Sequence, residues 1–219
     1  MALRLDPLQT LLEKIYGVSS ELRVDDFLIS DPCSVRQLHR DGRDTREKLL
    51  ISEAGNELDV ALFVHEKILA TLAESDPFAR LHDGNLDAFW IALEGVSHFL
   101  YLVCNAGAGR SVRLLEMELQ AEVDKFVATL FLLRRQDVTG SHRRLHHYLF
   151  ERIEFDAALS PEDLTRYREA NRYAGKYCLG LSRGYLSRRR RTGLVDELRR
   201  FYRMPQSAKL RYIDHGIGR

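Results

Sequence analysis

The stretch FWIALEGVSHFLYLV, residues 89–103, is the longest apolar run in the chain, and Glu94 and His98 interrupt it near its middle. Its length and lack of strict alternation predict a helix rather than a strand. A helix that is apolar on nearly all sides must be enclosed by other elements, so the run predicts the central helix of a helical core. A charge at the centre of a membrane span costs roughly 3 kcal/mol, so Glu94 argues against a membrane-spanning segment.

The polar residues of this helix share one line. On a wheel of about 100° per residue, that line contains Asp87, Glu94, His98, Tyr101 and Asn105. The preferred interpretation is a strip exposed to solvent, with Glu94 and His98 as an i,i+4 pair. Two alternatives stay open: a sealed hydrogen-bonded network, or a cleft in which acid, imidazole and phenol handle a ligand, a proton or a metal.

The segment NAGAG, residues 105–109, breaks this helix, and a second helix is predicted over 111–133. In an antiparallel hairpin His98 lies level with Glu118, and Glu94 with Glu122. Acids and histidines on facing helices can hold metals, but those sites carry a Glu-x-x-His spacing that this sequence lacks. The wheel also predicts that Glu118 and Glu122 form a solvated edge near Lys125. The sequence therefore predicts no metal and no cofactor.

The residues around the central helix predict the fold class. KLLIS (48–52) and ELDVALFV (57–64) flank turn residues and favour a β-hairpin, and residues 24–30 favour a further short strand. From residue 85 onward the periodicity is helical, with a clear start at SPED (160–163). We expect an α+β, predominantly α fold: a helical bundle with a small antiparallel β-hairpin or sheet near the N-terminus. We expect one compact domain over 1–219, with a small α/β part (1–75) packed on a helical part (85–219).

Composition indicates a soluble globular protein, since 45% of residues are apolar and 30% charged. Cys33, Cys104 and Cys178 lie far apart, and no secretory signal follows Met1, so a cytoplasmic location is expected. The net charge of +1 hides an asymmetry. Residues 1–130 hold 13 basic against 22 acidic side chains, and residues 131–219 hold 20 against 10. Such a split suggests an interaction surface, either between the two parts of the chain or with an anionic partner.

The C-terminal third interleaves arginine with tyrosine, a combination that suits phosphate gripping and base stacking. The candidate anion-binding or nucleic-acid-binding residues are Arg183, Arg188, Arg189, Arg190, Arg191, Arg199, Arg200 and Arg203. No established nucleic-acid-binding motif accompanies them. We expect a non-catalytic binding or regulatory protein that engages an anionic partner, such as nucleic acid or an acidic protein surface, and no membrane.

Two other functions remain open on the sequence alone. One is an enzyme whose cleft is lined by the weak catalytic candidates Glu94, His98 and Tyr101. The other is a component of a homo-oligomer, in which acidic and basic parts pair between subunits.

Overall fold

The computed structural model describes residues 4–31, 45–54, 57–138, 142–155, 159–186 and 193–216. Its helices are α1 Asp6–Tyr16, α2 Glu66–Glu74, α3 Asp83–Ala106, α4 Leu114–Arg135, α5 His142–Phe150, α6 Pro161–Leu181, α7 Leu194–Tyr202 and α8 Gln206–His215. Its strands are β1 Leu28–Ile29, β2 Glu47–Ala54 and β3 Glu57–Val64. A mainly helical fold with a small sheet near the N-terminus confirms the predicted class.

Helix ends follow the signals in the sequence with small shifts. The Ser160 hydroxyl accepts the Asp163 amide at 3.1 Å, and Pro161 is the first helical residue, so the predicted start of α6 is confirmed. The N-cap of α3 is His82, and Asn85 is the third helical residue. The backbone amide of His82 donates to Asn85 Oδ1 at 2.9 Å.

The sheet contains the predicted hairpin and one unexpected pairing. Strands β2 and β3 are antiparallel, with Leu49 opposite Leu62. Residues 24–27, expected to extend a strand, form a 3₁₀ turn, and only Leu28 and Ile29 pair with β3, in the parallel direction. The sheet is therefore mixed, in the order β1-β3-β2.

Helices α3 and α4 form the antiparallel hairpin at the centre of the fold. Three cross-helix hydrogen bonds fix its register: Trp90 Nε1 to Thr129 Oγ1 at 2.8 Å, Ser97 Oγ to Asp124 Oδ2 at 2.6 Å, and Tyr101 Oη to Glu116 Oε1 at 2.6 Å. The sheet packs on α3, helix α6 packs on α4, and α1 contacts both α3 and α7. The hairpin is thereby enclosed on several sides.

Among the described residues, α3 is the one helix long and apolar enough to cross a membrane by length and composition. In its most apolar window 67% of the residues are buried inside the protein. The core helices of soluble proteins have the same properties, and the contacts of α3 with the sheet and with α4 are those of a core helix.

Candidate functional site

The polar line of α3 is mostly buried, so the preferred expectation of an exposed strip is wrong. His98 is 7% exposed, and Tyr101 and Asn105 are also buried. Only Asp87, near the start of the helix, is well exposed, and it pairs with Arg46 at 2.8 Å. The wheel identified the polar line but not the sheet and the helix α4 that cover it.

His98 lies between two carboxylates from different elements. Its Nδ1 is 3.6 Å from Oε1 of Glu47 on β2, and its Nε2 is 3.5 Å from Oε2 of Glu118 on α4. His98 Nε2 and Glu47 Oε2 are buried atoms without a hydrogen-bond partner. A buried polar atom without a partner is costly and calls for an explanation.

The acids that α3 and α4 contribute near His98 each have a basic partner. Lys125 Nζ contacts Glu94 Oε2 at 2.7 Å and Glu122 Oε1 at 2.8 Å. Arg166 Nε, from α6, lies 3.7 Å from Glu118 Oε1. Glu118 is only 8% exposed, so the expectation of a solvated acidic edge is wrong for this residue. The reason is α6, which covers that face of α4.

The charges of this cluster shift its protonation equilibria. Burial acts to lower the pKa of His98, but the carboxylates of Glu118 and Glu47 outweigh it and raise this pKa well above its usual value. Burial raises the pKa of Glu47. For Glu94, burial is outweighed by the positive charges of Lys125 and His98, and the pKa is lowered. The cluster therefore favours a cation at the position of His98.

A glycine lets the sheet reach His98. A Cβ atom on Gly95 would lie 2.7 Å from Glu47 Oε2 and 2.8 Å from Leu62 Cδ1, both too close for real contacts. The missing side chain allows β2 and β3 to approach α3 closely. Sequence reasoning did not include Glu47, which is 51 positions from His98. A glycine inside an apolar helix was the available signal for close packing.

Three side chains of the cluster have the composition of a metal-ligand set. Glu94, His98 and Glu118 each present one ligand atom, and the three atoms lie within 4.8 Å of one another. Each of the three also has a further charged partner: Lys125 for Glu94, Glu47 for His98, and Arg166 for Glu118. Outer partners of this kind orient metal ligands in proteins.

Tyr101, the third enzyme candidate, belongs to a second buried network. Its hydroxyl donates to Glu116 and accepts from the Lys209 amine at 3.0 Å. Lys209 also donates to Gln120 at 2.7 Å, and Gln120 donates to Asp124 at 2.8 Å. Tyr101 therefore has different hydrogen-bond partners from Glu94 and His98.

This second network contains two shifted groups. Burial lowers the pKa of Lys209 to about 7, against the opposing charges of Glu116 and Asp124. Burial raises the pKa of Asp124 to about 6, although the carboxylate accepts hydrogen bonds from Ser97, Tyr16 and Gln120. The network joins α1, α3, α4 and α8, which gives it a clear structural role.

The C-terminal arginines divide into three groups. Arg188, Arg189, Arg190 and Arg191 lie outside the described residues. Arg199 and Arg203 donate to the last carbonyl groups of α1 and to Gly17, while Arg200 pairs with Glu197 at 2.6 Å. Arg183 is exposed. Three of the four described candidates therefore also make contacts within the chain.

Comparison with known proteins adds no functional assignment: no family model matches the chain, and no curated protein and no solved structure is significantly similar to it.

Proposed function

We propose that this protein is a metalloprotein that binds one first-row divalent ion through Glu94, His98 and Glu118. The observation that carries the proposal is the position of His98. Its Nδ1 faces the carboxylate of Glu47, while its buried Nε2 faces Glu118 without a hydrogen-bond partner. In metal sites a carboxylate on one ring nitrogen fixes the tautomer, so that the other nitrogen binds the ion.

Charge balance supports a divalent ion at this position. Five carboxylates belong to the cluster, from Glu47, Glu94, Glu118, Glu122 and Asp163, and the cations in contact with them are Lys125, Arg166 and His98. These carboxylates outnumber the cations by two, and a divalent ion that displaces the His98 proton would add one further positive charge to the cluster. Buried charges need such compensation.

The ligand types narrow the choice of metal. One imidazole nitrogen and two carboxylate oxygens suit ions from Mn²⁺ to Zn²⁺, whereas Mg²⁺ and Ca²⁺ prefer oxygen alone. The three ligand atoms lie within 4.8 Å of one another. Bonds of roughly 2.0–2.2 Å to a shared ion would hold these atoms closer to one another than that limit. Binding would therefore draw the side chains together by roughly 1 Å, a shift within ordinary side-chain adjustment.

Equilibrium dialysis with Zn²⁺ and Co²⁺ tests the proposal. We expect one ion per chain, and a Co²⁺ absorption spectrum that indicates a nitrogen ligand. His98→Gln and Glu118→Gln should weaken binding at least roughly tenfold, and Glu47→Gln should weaken it by roughly 10–100-fold, as outer-partner changes do.

The matched controls are His215→Gln and Glu74→Gln, because both residues are exposed and lie outside the cluster. They should leave the affinity unchanged. Circular dichroism of each variant establishes that it is folded. Stoichiometric binding that survives in folded His98→Gln would contradict the proposal, as would an absence of binding by the unaltered protein.

Binding of an anionic partner through the arginine-rich C-terminal third is a second proposal. The observation that favours it is that Arg183, Arg200 and Arg203 are all exposed. Contacts of Arg199 and Arg203 with the end of α1 leave part of each guanidinium free to donate further hydrogen bonds. A cytoplasmic location is part of this second proposal. That location is inferred from the wide spacing of the cysteines in the sequence.

The dependence of binding affinity on salt concentration tests this second function. Affinity for a nucleic acid should fall steeply as salt rises, and replacing Arg188–Arg191 with alanine should reduce both the affinity and the salt slope. The matched control replaces Arg80, Arg143, Arg144 and Arg152, which are exposed elsewhere. Equal losses of affinity in the two variants, or no binding of nucleic acid at low salt, would contradict the proposal.

A further inference from the structure

A basic cleft lies far along the chain from the arginine-rich segment, against helix α1. It encloses about 500 Å³, within the range of small-molecule sites. Its lining includes four cations, Arg4, Lys14, Arg23 and Arg135, and one carboxylate, Asp6. Residues 1–130 carry a net negative charge as a whole, so the positive charge that Arg4, Lys14 and Arg23 bring to this cleft is not evident from composition.

The cations of the cleft differ in how they are held. Asp6 and Glu13 fix the Arg23 guanidinium, each at 3.3 Å. Arg4, Lys14 and Arg135 are exposed, and none of them makes an ion pair within the described ranges. The cleft is therefore lined by three exposed cations, which can bind an anion, and by one guanidinium that is already paired. Phosphate is the anion that such a group of donors suits best.

One further feature describes the rest of the ligand. Leu11 and the partly exposed ring of Phe78 supply an apolar wall, on which a planar ring can stack. A phosphate and a planar ring occur together in a nucleotide.

We propose that this cleft binds a nucleoside phosphate. The phosphate binds among Arg4, Lys14 and Arg135, and the base packs on Phe78. The site is independent of the proposed metal centre, since the two share no residue.

Isothermal titration calorimetry with adenosine monophosphate, in the presence of a chelator, tests this proposal separately from metal binding. We expect saturable binding that weakens at least roughly tenfold when Arg4, Lys14 and Arg135 are all changed to glutamine. The charge-matched control changes Lys67, Arg143 and Arg144 to glutamine, three exposed cations outside the cleft. The control should bind like the unaltered protein.

Two smaller probes identify which part of the ligand is recognised. Inorganic phosphate and adenosine should each bind at least roughly tenfold more weakly than the nucleotide, because each lacks half of the contacts. Phosphate that binds as tightly as the nucleotide would overturn the assignment of a nucleoside. Absence of binding, or equal binding by the triple variant and the control, would overturn the site itself.

Discussion

At the residue scale, His98 shows what a polar side chain inside an apolar helix requires. Its two ring nitrogens face carboxylates that arrive from a strand and from another helix. The sequence predicted that Glu94 and His98 lie on one line and that His98 lies level with Glu118. It could not predict Glu47, because no local pattern encodes which strand packs on a helix. Burial of Glu118 also depended on α6, a long-range contact.

Lys209 gives a prediction at this scale. Its pKa is lowered from the usual 10.5 to about 7 by burial, so above pH 7 the unfolded chain takes up a proton that the folded chain does not. The free energy of unfolding should therefore rise with pH between 7 and 10, by about 1 kcal/mol per pH unit from this group. Urea unfolding of the protein and of Lys209→Met at pH 7.5 and 9 isolates this contribution. Parallel pH profiles for the two proteins would show that Lys209 is charged when buried.

At the element scale, the α3–α4 hairpin was the most predictable feature. The break at residues 105–109 and the helical periodicity on both sides predict its register, and the approach of His98 Nε2 to Glu118 Oε2 at 3.5 Å confirms it. The parallel pairing of β1 with β3 was not predictable, since two residues carry no periodic signal. Short strands form where the tertiary fold brings backbone groups together.

Gly95 tests the contact between the sheet and α3. An alanine there would overlap Glu47 Oε2 and Leu62 Cδ1, so Gly95→Ala should push the sheet away from His98. We expect a loss of about 1–3 kcal/mol in the free energy of unfolding, typical of overpacking, together with weaker Zn²⁺ binding. Denaturant unfolding and dialysis measure the two effects.

The control for this change is Gly184→Ala, because a Cβ atom at Gly184 meets nothing within 4 Å and its backbone is not left-handed. Its Zn²⁺ affinity should remain that of the unaltered protein. Equal stability of the two alanine variants would mean that the sheet does not depend on the close approach at Gly95.

At the scale of the whole molecule, the acidic and basic parts of the sequence meet inside one chain. Arg166 from the basic part approaches Glu118, and Arg199 and Arg203 bind the carbonyl end of α1. Those contacts explain part of the charge asymmetry that the sequence displays. The fold class followed from apolar periodicity, whereas the charge partners depended on tertiary packing that the sequence does not spell out.

Metal binding should stabilise the whole fold, because the three proposed ligands lie on the central hairpin. At a Zn²⁺ concentration of about 100 times the dissociation constant, the expected gain in the free energy of unfolding is about 2.7 kcal/mol. Thermal unfolding with and without Zn²⁺ measures it, and folded His98→Gln should show no such gain. A rise of the same size in that variant would place the bound ion elsewhere.

The most direct test of the metal centre is anomalous diffraction from crystals grown with Zn²⁺, recorded on both sides of the zinc absorption edge. A single strong anomalous peak should lie between His98 Nε2 and the carboxylates of Glu94 and Glu118, with bonds of roughly 2.0–2.2 Å. Glu47 should remain beside His98 Nδ1 without touching the ion. The account would be contradicted if the cluster showed no peak at saturating Zn²⁺. It would also be contradicted if the only anomalous peak lay at histidines on the surface.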